Sequence, residues 1–292
     1  MSYLRAEPGY NKVFGGKVLA GQELDSNEGD RLRFLGVDLG WSTGPTGLCC
    51  LGWENDRLQL LALERLSALD DILDWCDRYT TPDLPAGIAV DAPTIIPNAT
   101  GMRVPDRLAH KFFSRYHAGC YPANLGRSFA ARTIAFGTSL EAQGFVHADA
   151  IAPRRPQRFQ IEVFPHAATV QLFRLDRICK YKRGRLSDRK RELARLRGYI
   201  ADVLPVLELP LDFASSPVAL PDDFADLTGA ALKASEDRLD AVICAYVAAH
   251  WWWWGRARTQ VLGDIKSGYI VVPLASDRAT DEPRQADAAA VP

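Results

Sequence analysis

The chain has 292 residues, of which 47% are hydrophobic and 24% charged. These are ordinary globular values that exclude a disordered, collagenous or mucin-like protein and allow a sizeable core, whether in one large α/β domain or two smaller ones. The formal net charge is −1, so no global field draws the chain onto nucleic acid or an anionic membrane, and any polyanion binding must come from a local patch.

Residues 1–30 are mixed and Gly-rich and read as an N-terminal arm, without the continuous apolar stretch of a signal peptide. Leu32 to Leu39 is a short apolar run ended by Gly40, as expected of a buried strand. Leu48 to Trp53 and Leu58 to Leu63 flank Glu54-Asn55-Asp56-Arg57, a hairpin signal. Ala68 to Tyr79 follows with Leu69, Ile72, Leu73 and Cys76 on one helical face. Ile88 to Val90 then runs as a strand into Asp91-Ala92-Pro93.

A Gly/Pro/Asn-rich loop at 93–105 leads to a helical stretch near 106–117 and a second loop around Gly119 to Asn124. Phe159 to Phe164 is a further strand, and Pro165 suits the first position of a helix. A long basic helix or helix pair is expected over 167–203, and a strong helix from about 228 to 251. Residues 275–292 lack apolar periodicity and read as a disordered tail, which leaves 31–274 as the domain. Six scattered cysteines without a C-x-x-C pair point to a reducing, cytoplasmic setting. The longest uncharged run, Ala241 to Gly255, is too short to span a bilayer, so no membrane association is expected.

Four places carry acids where an open α/β sheet exposes chemistry. Asp38 and Asp91 end their strands, Glu162 lies within the Phe159–Phe164 strand, and Asp237 and Asp240 share a face of the last helix. Clusters of carboxylates suit Mg²⁺ or Mn²⁺, and two such ions can clamp the attacking and leaving oxygens of a phosphodiester. Val37-Asp38-Leu39 and Val90-Asp91-Ala92 set carboxylates in runs that otherwise bury, which is costly without a partner. Metal is one remedy; salt bridges and backbone N–H groups are others, and the residues alone leave the choice open.

Read in order, GVDLGWSTGPTGL (36–48), AVDAPTIIPNATGMR (89–103), GCYPAN (119–124), EVFPHAA (162–168) and EDRLDAVICAYVA (236–248) resemble domain-of-unknown-function family 429, a family of predicted nucleases with an RNase H-like fold. The resemblance covers roughly residues 33–272. It implies an α/β fold whose mixed five-stranded sheet, an antiparallel meander plus parallel strands, is flanked by helices, with the acids of the first and fourth strands side by side. It implies Asp38, Asp91, Glu162 and Asp240 as catalytic acids and metal ligands, with Asp237 a further ligand one turn earlier. His166 stands where related sequences often carry a small residue, and no role is assigned to it.

The segment 174–197 holds eleven basic residues against three acidic ones, a local balance of +8. Such segregation suits phosphate contacts, with a solvated helix face as the plain alternative. Tyr181 and Lys182 at its start are placed to reach a backbone phosphate. Asn98, Arg103 and Arg107 follow the Asp91 strand closely and are candidates to line the same crevice, with Arg103 suited to phosphoryl charge. Tyr121 and Asn124 belong to the second loop, as a stacking surface or as plain loop structure. The run Trp251 to Trp254 circles a helix end and reads as a hydrophobic plug or partner contact. The expected activity is metal-dependent hydrolysis of nucleic acid by a water nucleophile, using two ions. Two alternatives stand beside it. One is an ATP-dependent phosphotransferase of the actin and sugar-kinase type, whose first phosphate loop GVDLGWSTGPTG resembles. The other is a non-catalytic binding protein on the same scaffold.

Overall fold

A computed structural model of the protein describes residues 32–41 and 44–275. The expected arm and tail lie outside these residues. The first three strands, β1 (Arg33–Asp38), β2 (Thr46–Glu54) and β3 (Arg57–Leu66), form the expected antiparallel meander, with Asn55 and Asp56 taking positive φ at the hairpin. Helix α1 (Leu69–Tyr79) carries the chain to β4 (Ala86–Val90), which pairs parallel to β1. Helices α2 (Val104–Phe113) and α3 (Ala130–Ala142) follow, then the two-residue β5 (Val146–His147) and β6 (Arg158–Glu162), parallel to β4. Helix α4 (Pro165–Leu172) begins at its proline, and α5 (Leu186–Val203) comes after an irregular stretch. A second two-residue strand, β7 (Leu211–Asp212), precedes α6 (Gly229–Trp254) and the hairpin β8 (Thr259–Asp264) and β9 (Gly268–Pro273).

The sheet order is β5-β6-β4-β1-β2-β3-β7. Its inner five strands form the expected mixed sheet; β5 and β7 each add a short edge, and β8-β9 pairs separately. Strand alternation divides the core between the two faces. Leu35, Val37, Ile88 and Val90 pack with Ile72, Trp75, Phe136 and Leu140 of α1 and α3. Phe34, Ala89, Phe159 and Ile161 face the other way, into the core that contains α6.

Two glycines let α6 lie directly on the sheet. A Cβ on Gly36 would overlap the Ala241 carbonyl, and one on Gly47 would overlap the Asp237 carbonyl. Both positions fall where the helix carries its acids, so the close approach holds Asp237 and Asp240 against the strand ends. Of the helix or helix pair expected over 167–203 the structure has the pair, α4 and α5, and the irregular stretch 173–185 between them enters the site.

Candidate functional site

Asp38 ends β1 and Asp91 follows β4. Because Val37 pairs with Val90 across that parallel ladder, the two acids stand next in register and share the α6 face. The Asp91 backbone N–H donates to the Val37 carbonyl at 2.8 Å, which extends the pairing to the acid itself. The carboxyl ends of adjacent parallel strands are where α/β sheets form their binding crevice, and here they open on a cavity of about 910 Å³.

The third acid, Asp240, approaches from α6 and is fully buried. Its Oδ1 accepts from the Tyr181 hydroxyl at 2.5 Å, and its Oδ2 lies 2.8 Å from Lys182 Nζ. The latter is an ion-pair contact without hydrogen-bond geometry, since Oδ2 has no hydrogen-bond partner. Burial pushes the Asp38 carboxyl well up; Lys182 opposes this, while Asp240, Asp91 and Asp237 add to it. Asp91 is pushed up to about 6, again first by burial, with Lys182 opposing and Asp240 reinforcing. Burial would lower the Lys182 ammonium, but Asp240, Asp38, the Tyr181 hydroxyl and Asp91 outweigh it and hold it charged.

Tyr181 therefore has a different use from the one expected, and Lys182, which does line the cavity, has a further one. Both come from the irregular 173–185 stretch; Tyr181 is buried against Asp240 and cannot reach a backbone phosphate, while Lys182 is tied to the same acid. Other members of the basic segment are likewise occupied internally. Arg189 pairs with Glu236 of α6, Arg191 with Asp188, and Arg195 with Glu192. Lys180 and Arg183 line the cavity.

Glu162 and Asp237 line the cavity too, yet their carboxylates are already matched. In the β4–β6 ladder Val90 pairs with Glu162, so alternation turns Glu162 with Val90, away from the face of Asp38 and Asp91. There its two oxygens receive Arg103 Nη1 at 2.8 Å and Nη2 at 2.6 Å. Asp237 is held by Arg65 at 2.9 Å and by Lys233. Neither Arg65 nor Lys233 was flagged by the sequence, because an isolated basic residue carries no pattern.

Arg103 is a buried clamp. Besides Glu162 it reaches Asp106 and the Ile95 carbonyl, while Asp106 Oδ2 accepts from the backbone of Arg103 and Ala123. Burial would lower the guanidinium, but Glu162 and Asp106 hold it above its ordinary value. The structure thus spends Arg103 on shaping the loops around the cavity. Asn98 donates to the Thr100 and Ala123 carbonyls, Asn124 to the Gly101 carbonyl, and Arg107 to the Met102 carbonyl. These three tie loops together and lie outside the cavity lining. Tyr121 does line it and is exposed, beside Trp41. His166 also faces the cavity; burial and Lys182 lower its imidazole to about 4, so it is neutral at neutral pH.

Among the described residues, no set of three or more His, Cys, Asp and Glu side chains is arranged to hold a metal ion as it stands. The donors that fit a hard cation in kind are Asp38 and Asp91. Neither carboxylate takes a hydrogen bond or ion pair among the described residues. Among those residues, too, no helix is long and apolar enough to cross a membrane.

Comparison with known proteins gives one match. The model of a family described as "Protein of unknown function (DUF429)" matches residues 36–264, a span that contains every acid discussed above. No curated protein and no solved structure matches the chain.

Proposed function

The chain belongs to the DUF429 family, and from that premise we propose that it hydrolyses phosphodiester bonds of nucleic acid with the help of Mg²⁺ or Mn²⁺ at Asp38 and Asp91. The observation that carries this reading is the pair itself. Two carboxylates stand in register on one face, raised by burial and by the nearby Asp240, without a hydrogen-bonding or ion-pairing partner among the described residues. Small hard divalent ions are typically held by one or two carboxylates together with waters and substrate phosphate, so a pair suffices for one ion. A second ion would need Asp240, which has to be drawn off Lys182 first.

When bound, such an ion activates a water nucleophile and stabilises the departing oxyanion. The chain's own groups do the rest. Lys180 and Arg183 supply positive charge to the cavity wall for the phosphate backbone. Tyr181 and Lys182 fix Asp240 in place beside the pair. Arg103, through Glu162 and Asp106, sets the shape of the loops on the opposite wall.

One observation favours a second reading, a binding protein without catalysis: Glu162, Asp237 and Asp240 are each already matched by a basic side chain. Hydrolysis assays on labelled oligonucleotides separate the two. Under the proposal, cleavage requires Mg²⁺ or Mn²⁺, and Asp38→Asn and Asp91→Asn each lower the rate by about a hundred-fold or more while the fold persists. Cleavage at the wild-type rate by either variant with both ions defeats it. Oligonucleotide binding without any cleavage by the wild type establishes the second reading instead.

A further inference from the structure

Three residues beyond Asp38, the cavity wall changes character. Trp41 and Tyr121 meet at the mouth with ring centroids 5.3 Å apart and planes at 74°, forming an aromatic corner. Trp41 is backed by the buried Phe129 at 4.6 Å, and Tyr121 by the Arg127 guanidinium at 5.0 Å. Both rings nevertheless remain open to solvent, Trp41 at 43% and Tyr121 at 53% exposure. The tryptophan run at the end of α6 behaves differently, for Trp251 and Trp252 are buried. The buried Nε of Arg127 has no hydrogen-bond partner among the described residues, leaving an unsatisfied donor behind the corner.

We propose that the Trp41–Tyr121 corner is a stacking subsite for one unpaired nucleobase of a single-stranded nucleic acid. The assignment rests on the hydrolase reading for the class of ligand and adds its strandedness. Two rigid rings held by neighbours offer π surface at small entropic cost, and a heteroaromatic base is the planar group that such surfaces take regardless of sequence. The same cavity carries Lys180 and Arg183 for the attached phosphates and the Asp38–Asp91 pair for the reacting one. In a duplex the faces of the bases are covered by their neighbours, so this corner serves only a strand whose bases are free to turn outward.

The test uses the full chain carrying Asp38→Asn, so that turnover does not intrude, and fluorescence anisotropy with three probes: an oligothymidylate hexamer, an abasic hexamer of equal charge, and a duplex. The base-bearing single strand should bind about tenfold or more tightly than the abasic one. Trp41→Ala should erase that ratio while leaving abasic affinity unchanged, Trp41→Phe should keep part of it, and Tyr121→Ala should reduce it, all with unchanged melting temperature. Equal affinity for the base-bearing and abasic strands overturns the subsite. So does preference for the duplex, no binding at all, or an equal loss for both strands in Trp41→Ala. Base-selective binding in a protein that never cleaves removes the hydrolase reading and leaves the subsite standing. Cleavage with indifference to bases does the reverse.

Discussion

The two ends of helix α6 solve the problem of burial in opposite ways. Near its C-terminus Trp251 and Trp252 are enclosed, with indole N–H groups donating to the Ala148 and Arg155 carbonyls at 3.1 Å. Trp252 packs against Phe34 and Trp53, and Trp253 also packs against Trp53. Both enclosed indoles thus have their polar group satisfied as the rings leave water. Toward the N-terminal end the same helix buries Glu236, Asp237 and Asp240, each held by a cation from another part of the chain. Beyond those lie Asp38 and Asp91, half-buried acids that have no ion-pair partner among the described residues. One end is arranged for stability; the other tolerates electrostatic strain where a ligand can relieve it.

The largest expected effect lies at the tryptophan end. Trp252→Ala removes a fully buried ring and should cost about 3–5 kcal/mol, including the cavity it leaves. For a domain of this size that lowers the melting temperature by about 10 °C, measurable by calorimetry or circular dichroism. A shift of only a degree or two would mean that the neighbouring rings close the gap, and that this end is less tightly specified than its contacts imply.

A smaller effect of opposite sign is expected at the charged end. Asp91 has its carboxyl raised to about 6 in the fold, whereas an unfolded aspartate titrates near ~3.9. The folded state therefore binds the proton more tightly. The stabilisation this provides is complete below the unfolded value and is lost as pH rises through about 6. Asp91→Asn should lack this loss and be more stable than the wild type at neutral pH, by up to about 3 kcal/mol, with the difference vanishing near pH ~4. Melting curves across that range check it. A variant less stable than the wild type at neutral pH would show that Asp91 is a structural acid, and the contrast between the helix ends would lose its basis.

How much of this was legible beforehand follows from what kind of pattern each feature leaves. The meander, β4, β6 and α6 announce themselves through apolar runs and turn residues, and Asp38 and Asp91 were found because an acid inside such a run is conspicuous. The placement of Glu162 was not legible. The sequence shows a strand but not which parity faces which helix, and only the β4–β6 register reveals that Glu162 turns with Val90 toward Arg103. The basic segment misled for a related reason. A run of cations looks alike whether it faces solvent or internal acids, and the partners of Lys182 and Arg189 lie on α6, far along the chain. Helix α3, rich in Ala and carrying Thr, Ser and Gly among its apolar residues, and the β8-β9 hairpin lack a strong apolar period.

That internal use of charge has a consequence for how the protein should respond to salt. If all eleven basic residues of 174–197 contacted phosphate, single-strand affinity would fall with a log–log salt slope of about −8. Lys182, Arg189, Arg191 and Arg195 are held in ion pairs, while Lys180 and Arg183 line the cavity. Two or three phosphate contacts correspond to a slope of about −2. Anisotropy titrations of an oligothymidylate of about twenty nucleotides, which offers more phosphates than the segment has cations, read this slope directly at several salt concentrations. A value steeper than about −5 would mean that the paired arginines let go of their acids to bind phosphate. The acids on α6 would then be exchangeable partners of the substrate, and the charged end of the helix would be a switch rather than a fixed scaffold. A slope near −2 keeps Glu236 and Asp240 as permanent counter-ions. Asp38 and Asp91 would remain the acids of the site without an ion-pair partner among the described residues.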